Sequence, residues 1–283
     1  MSDEFASDLH CHSTYSDGTY TPEEIIDLAL EIGLMGISIT DHDTVDAYRR
    51  AIPYAKEKEL RLVTGVEFSA GLHDTSVHIL GYGFNPGNSI ILNFCGRHEE
   101  RRNQRNQAIM DLLTKHQMPI DAHELRRPIQ GVFPKSIGRP HIASQMVKKG
   151  YVKDIKEAFH KYLGDDKPCY VPGDYFSIAE TIDVIHQANG VAVLAHPHLI
   201  DRKRIVNQLL DYEFDGIEAY YAHFPLDKCT KWIDKAEEHS WLITGGSDFH
   251  GKIKPHNHLG SSWTPQESFE YLESVTHSNL SSS

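Results

Sequence analysis

Seven short runs rich in Ile and Val, alternating with amphipathic helical patterns, constrain this chain more than any other feature. The runs lie at 8–12, 36–40, 61–68, 77–84, 191–195, 216–220 and 241–245. Such alternation marks βα units and predicts an α/β barrel, whole or with a unit missing. In a barrel of parallel strands, side chains at the strand C-termini converge on one mouth, where such folds do their chemistry. Nine residues of metal-ligand type sit close to the strand ends: His10, His12, Asp17, His42, Glu67, His78, His196, Asp248 and His250. The chain has 19 histidines, so one His near a strand says little. Six imidazoles and three carboxylates at one mouth predict a divalent-metal centre with room for several ions.

Period-two alternation in His10-Cys11-His12 puts both imidazoles on one face and leaves Cys11 on the other, as a small buried residue. Asp17 follows in the turn Ser16-Asp17-Gly18. In Thr40-Asp41-His42-Asp43 the ligand is His42, and Asp41 is expected to fix its tautomer from behind. Glu67 closes the third run, and a carboxylate can bridge two cations where an imidazole cannot. His73, His198 and His223 lie near the same ends without a matching motif and are set aside.

The length, 283 residues, suits one large domain or a domain with an insertion. A net charge of −12 argues against a broad basic footprint for extended duplex nucleic acid. Bound divalent ions would still make a local pocket electropositive. Four cysteines without C-x-x-C spacing form neither a disulfide framework nor a zinc ribbon. No apolar run approaches the ~20 residues of a membrane span, and none precedes Asp8, so a cytoplasmic home is expected.

The first crossover helix carries its own punctuation. Thr21 is placed to cap it, Pro22 fits its first turn, Glu24 completes a capping box and Gly33 ends it. Further helices are predicted at 45–60, 177–188, 202–212, 227–239 and 264–275, the last followed by a disordered Ser-rich tail. Between 85 and 167 the strand rhythm stops, and helical patterns at 97–117, 139–149 and 155–163 replace it. That stretch is too long for a barrel loop. The predicted organisation is a barrel of 1–84 and 167–283, with a helical insertion of 85–166 over its C-terminal mouth.

The ordered motifs Asp8-Leu9-His10-Cys11-His12-Ser13, Asp17-Gly18, Thr40-Asp41-His42-Asp43, Gly65-Val66-Glu67, His78-Ile79-Leu80-Gly81-Tyr82, Ala195-His196-Pro197 and Gly246-Ser247-Asp248-Phe249-His250-Gly251 run over most of the chain. Together they resemble the polymerase and histidinol phosphatase (PHP) family of metal-dependent phosphoesterases. The resemblance implies a distorted seven-stranded α/β barrel with two to three divalent ions. One ion would be held by His10, His12, Glu67 and Asp248, a second by Glu67, His78 and His196, and a third by Asp17, His42 and His250. The resemblance implies manganese, iron, zinc or magnesium, of which so many imidazoles disfavour magnesium. The insertion motif Ser136-Ile137-Gly138-Arg139-Pro140-His141-Ile142-Ala143 is similar to the subgroup that hydrolyses nucleoside 3′,5′-bisphosphates and short RNA ends, which implies phosphate contacts for Arg139 and His141. The alternative role for both is to cap the helix that follows.

The expected reaction is hydrolysis of a phosphate ester by in-line attack of a hydroxide bridging two metal ions, with His196 or a water protonating the leaving group. The substrate would be a small phosphorylated molecule, a nucleotide or a short oligonucleotide. Arg101, Arg102 and Arg105 could add a phosphate contact, although a solvated helix face fits them as well. Tyr82 and Phe84 could wall a base, although packing fits them better. Rival readings are a histidinol-phosphate-like small-molecule phosphatase, a 5′→3′ exonuclease on short RNA and a metal-binding module without catalysis. A role in polymerase proofreading is weaker, because the chain has no polymerase region.

Overall fold

The computed structural model describes residues 6–128, 130–173 and 175–282. The elements run β1 (Ser7–Cys11), α1 (Pro22–Glu31), β2 (Gly36–Ile39), α2 (Tyr48–Glu57), β3 (Arg61–Leu62), β4 (Gly65–Leu72), β5 (Thr75–Tyr82), α3 (Ser89–Lys115), α4 (Ala122–Leu125), α5 (Arg139–Lys148), α6 (Ile155–Ala158), β6 (Phe176–Ser177), α7 (Ile178–Gln187), β7 (Val191–Leu194), α8 (Lys203–Leu209), β8 (Gly216–Tyr221), α9 (Leu226–His239), β9 (Leu242–Gly246) and α10 (Gln266–Ser281). The fold is α/β. A parallel three-stranded sheet has the order β1-β2-β3, and a mixed six-stranded sheet has the order β6-β4-β5-β7-β8-β9.

Two expectations need correction. The strands pair as two sheets instead of one continuous parallel ring, and β5 runs antiparallel to both β4 and β7. The reversal has a local cause. Only His73 and Asp74 separate the paired residues Leu72 and Thr75, and a connection that short can only make a hairpin. The third predicted run, 61–68, is also two strands. Val63 N–H still bonds Ile37 O at 3.0 Å in the first sheet, whereas Gly65 pairs with Tyr82 in the second. Gly65 permits the change of sheet, since a Cβ there would lie 2.4 Å from Ser38 Oγ.

The two sheets are stitched together where the metal-type residues lie. Isolated bridges join Cys11 to Phe249 and His42 to Glu67. His12 N–H donates to Phe249 O at 2.8 Å, and Asp43 N–H donates to Glu67 O at 3.0 Å.

Helix α1 forms as its sequence predicts. Thr21 accepts from Glu24 N–H, Glu24 returns the bond to Thr21 N–H, and Ile25, Ile26 and Ala29 face the core. The last helix departs from expectation: α10 continues through the Ser-rich tail to Ser281. Ser278 and Ser281 hydroxyls bond carbonyls four residues back, and Asn279 Nδ2 ties the end to Gly83 O and Asn189 O. These bonds satisfy the tail within the helix.

The sheets and their flanking helices form a large apolar core, to which Ile25, Ile37, Phe68, Ile79, Ile182 and Ile217 belong, and a smaller separate cluster of Leu9, Leu80, Tyr82, Val193 and Phe269. Residues of the stretch after β5 form a second core, built on Ile109, Leu113, Ile142, Met146 and Leu163. The 27-residue α3 serves both. Its Ile91 and Phe94 are in the first core, and its Ile109, Met110 and Leu113 are in the second. Each fully buried side chain of this size contributes about 1.5–3 kcal/mol, so α3 is anchored at both ends. No helix among the described residues is long and apolar enough to cross a membrane.

Candidate metal centre

Glu67 is the hub of the site. Its Oε2 lies 3.4 Å from His10 Nε2, 3.2 Å from His12 Nε2 and 3.0 Å from His42 Nδ1. Its Oε1 lies 2.8 Å from His78 Nδ1 and 2.9 Å from His196 Nε2. Asp248 Oδ1 joins the first side, 3.6 Å from His10 Nε2 and 3.3 Å from His12 Nε2. Asp17 faces His250 Nε2 at 3.2 Å and His42 Nε2 at 4.0 Å. Thus all nine metal-type residues, from His10 to His250, converge on one largely buried centre. Cys11 lies behind it, donating to Ser38 O.

Three groups have donor atoms mutually within 4.8 Å: His10, His12, Glu67 and Asp248; His12, Asp17, His42 and His250; and His42, Glu67 and His78. The residues fit divalent cations for a physical reason. His10 Nε2, both His12 nitrogens, His42 Nδ1, Glu67 Oε2 and Asp17 Oδ1 are buried without a hydrogen-bond partner. Each such atom costs about 1–3 kcal/mol when nothing answers it, and this many around Glu67 and Asp17 call for cations. His42 belongs to two groups, and His12 stands beside Asp17 as well as Glu67, so the sets overlap more than three separate ions would suggest.

The electrostatics agree. Burial works against ionisation of Glu67, Asp17 and Asp248, yet the surrounding imidazoles, with Lys254 beside Asp248, hold all three well below the usual carboxylate range. Burial also opposes charge on His12, but Asp248 and Glu67 push it up to about 9. His42 goes the other way, to about 3, because burial outweighs Glu67 and Asp17. Burial thus keeps His42 neutral, the form in which an imidazole binds a cation. Asp43, His196 and Asp248 have φ of 57°, 26° and 51°, among eleven described non-glycine residues with positive φ.

Behind the ligand-type atoms stands a layer the sequence reading largely missed. Glu218 Oε1 is 2.8 Å from His10 Nδ1, and its Oε2 accepts from His196 N–H at 2.8 Å, orienting both residues. The signal was a lone carboxylate inside the apolar run at 216–220. Asp248 Oδ2 accepts from Tyr221 Oη and Lys254 Nζ at 2.7 and 2.6 Å. Asp41 requires correction. Its carboxylate accepts from Ser13 N–H, Ser13 Oγ and Ser16 Oγ, so it holds the turn bearing Asp17 and not the His42 ring.

A cavity of about 190 Å³ opens on Asp17, His42 and His78. Arg102, Arg105, Arg139 and Tyr175 line the same cavity. Arg139 Nη1 donates to Leu163 O at 3.2 Å and Asp165 Oδ1 at 3.1 Å. Arg102 Nε donates to Asp43 Oδ2 at 2.6 Å, and its Nη2 donates to Ser69 Oγ at 2.9 Å. Arg105 Nε is buried without a partner, and burial together with Arg102 and Arg139 pushes its guanidinium down to about 10. His141 does not line this cavity. Its Nδ1 accepts from Gly138 N–H at 3.1 Å, capping α5, and its ring bonds the Ser16 backbone. Tyr82 and Phe84 are also off the cavity, both buried in the core.

The PHP domain model matches residues 8–164. The 5′-3′ exoribonuclease Rnm of Escherichia coli is 34% identical over 86% of this chain and 84% of its own length. The 3′,5′-nucleoside bisphosphate phosphatase of Chromobacterium violaceum is 31% identical over 86% of each. A solved structure from Bifidobacterium adolescentis superposes with a TM-score of 0.85 at 30% identity, covering 96% of each chain. The chain belongs to the PHP domain family. It is accordingly a metal-dependent phosphoesterase, a hydrolase acting on phosphoester bonds.

Proposed function

We propose that this enzyme removes the 3′-phosphate of nucleoside 3′,5′-bisphosphates and, with the same centre, trims short RNA from its 5′ end. The observation that carries the reading is one small cavity lined both by Asp17, His42 and His78 and by Arg102, Arg105 and Arg139. A plain monoester needs charge neutralisation at one phosphorus only. Three guanidiniums held beyond the ligand-type residues suit a second, remote phosphate, whose binding orients the scissile one.

The ligands we assign are His10, His12, Glu67 and Asp248 for one cation, Glu67, His78 and His196 for a second, and Asp17, His42 and His250 for a third. Bound divalent cations, with manganese, iron or zinc favoured by the imidazole-rich set, would supply Lewis acidity and activate water near neutral pH. Glu67, reaching imidazoles with both oxygens, fixes the spacing of the centre. Arg102, Arg105 and Arg139 bind the remote phosphate, and His141 holds the Ser16 turn that presents Asp17. Water adds to phosphorus in line with the departing 3′-oxygen. The P–O bond breaks, the oxygen takes a proton from water, and the products are inorganic phosphate and a nucleoside 5′-phosphate. His196 faces Glu67 and is assigned to holding cations, not to that proton transfer.

In this reading the two sheets close as a distorted barrel, residues 85–166 act as its cap, and the enzyme works in the cytoplasm. The test compares Arg139→Ala with the parent on adenosine 3′,5′-bisphosphate and on a 3′-monophosphate. A drop of tenfold or more in kcat/KM for the bisphosphate, with the monophosphate little changed, is expected. Equal losses on both substrates would defeat the second-phosphate assignment.

A further inference from the structure

The loops that follow β7 and β8, together with helices α8 and α9, line a second cleft of about 450 Å³. Its walls include His198, Phe224 and Trp232, and its rim carries Lys203, Lys228 and Lys231. It connects physically to the metal centre. The His198 ring stacks on Phe224 with centroids 4.3 Å apart and lies 4.6 Å from Tyr221, whose hydroxyl donates to Asp248. His196 and His198 are two residues apart, so the cleft begins where the centre ends. The arginine-lined cavity, by contrast, opens past Asp17, His42 and His78.

We propose that this cleft is a subsite for the nucleotide downstream of the scissile phosphate, which makes the enzyme a reader of short single-stranded RNA. The proposal rests on the phosphoester reading of the metal centre and deepens it. In a monoester the phosphorus carries no further substituent, but in an oligonucleotide one of its oxygens continues into the next nucleoside. With the first nucleoside held toward the arginines, the continuing chain needs another exit. The cleft offers what a single strand requires: aromatic faces for a base and cations for the next phosphodiester. Asp201 and Asp227 also line the cleft and offset two of the three lysine charges. The site therefore suits one or two phosphodiesters and not a long polyanion, in keeping with a chain of net charge −12.

The lysines are exposed, so replacing them leaves the core intact. The experiment uses the Lys203→Ala/Lys228→Ala/Lys231→Ala triple variant and, separately, His198→Phe, which keeps a ring in the stack. Each is assayed on adenosine 3′,5′-bisphosphate and on 5′-phosphorylated RNA of two to five nucleotides, with RNA binding also followed by fluorescence anisotropy. The expected result is a tenfold or greater loss in RNA affinity and RNA kcat/KM, with the bisphosphate within twofold of the parent. Unchanged RNA affinity, equal losses on both substrates, or parent binding of inorganic polyphosphate as tight as RNA would each overturn the subsite. Failure of the parent to hydrolyse either substrate would instead strike at the reading of the metal centre.

Discussion

Single residues show both what a sequence can announce and what it conceals. Glu67 and its imidazoles were legible because ligand chemistry leaves a short list of side-chain types at strand ends. Glu218 was not, because a carboxylate one strand removed looks like an isolated polar residue until the His10 and His196 contacts are seen. Asp41 misled in the opposite way: adjacency to His42 suggested a partnership, but the side chain turns toward Ser13 and Ser16. Arg105 gives a residue-scale prediction. Its buried, unpartnered Nε and its neighbouring guanidiniums make the folded state pay for a charge that the unfolded chain carries freely. Arg105→Met should therefore raise stability by about 1 kcal/mol, after allowing for its partial exposure, and raise Tm by a few degrees. The same change should lower kcat/KM for a bisphosphate at least tenfold. A lower Tm with unchanged kinetics would contradict both the strain and the role.

Among the elements, α1 and α10 mark the limits of local reading. Capping chemistry is contained within four residues, so the start of α1 was readable from Thr21 to Glu24. The persistence of α10 depends on Asn279 reaching Gly83 and Asn189, which no local pattern reveals. The break of the 61–68 run into β3 and β4 likewise depends on Gly65 passing close to Ser38 of another strand, where a Cβ would clash. Helix α3 carries a pH prediction. Its His98 is boxed by Phe68, Phe94 and Phe176, with Nδ1 3.2 Å from Asp43 Oδ1. Burial, helped by Arg102, Arg101 and Arg97 against the pull of Asp43, lowers the imidazole to about 4. The folded state thus keeps His98 neutral while the unfolded chain protonates near the ordinary 6.5. Between those values unfolding takes up a proton, so this contribution is whole above pH 6.5 and declines toward pH 4, by up to about 1.4 kcal/mol per unit. Denaturant titrations across that window should show a shallower pH slope for His98→Gln than for the parent. Identical slopes would mean that His98 is already protonated in the fold.

At the level of the whole molecule, the two sheets meet at residues that also converge on the candidate metal pocket. Cation binding should therefore stabilise the whole fold as well as enable chemistry. Stripping the protein with a chelator should lower Tm, and restoring manganese or zinc at a hundredfold excess over Kd should return about 2.7 kcal/mol per site. Scanning calorimetry with metal analysis would detect this. A metal-free protein whose Tm ignores added ions would deny the cluster its assigned purpose.

One consequence concerns how substrates enter. Helix α3 spans 27 residues, about 40 Å of continuous rod, with one end set in each apolar core. Moving one core against the other would mean bending that rod or tearing out Ile91 and Phe94. If residues 85–166 cap the centre as proposed, the arginines of α3 would line a fixed aperture and not a hinged lid. Selectivity would come from the width of a rigid gate, which admits slender, flexible phosphates and turns away anything already folded or paired.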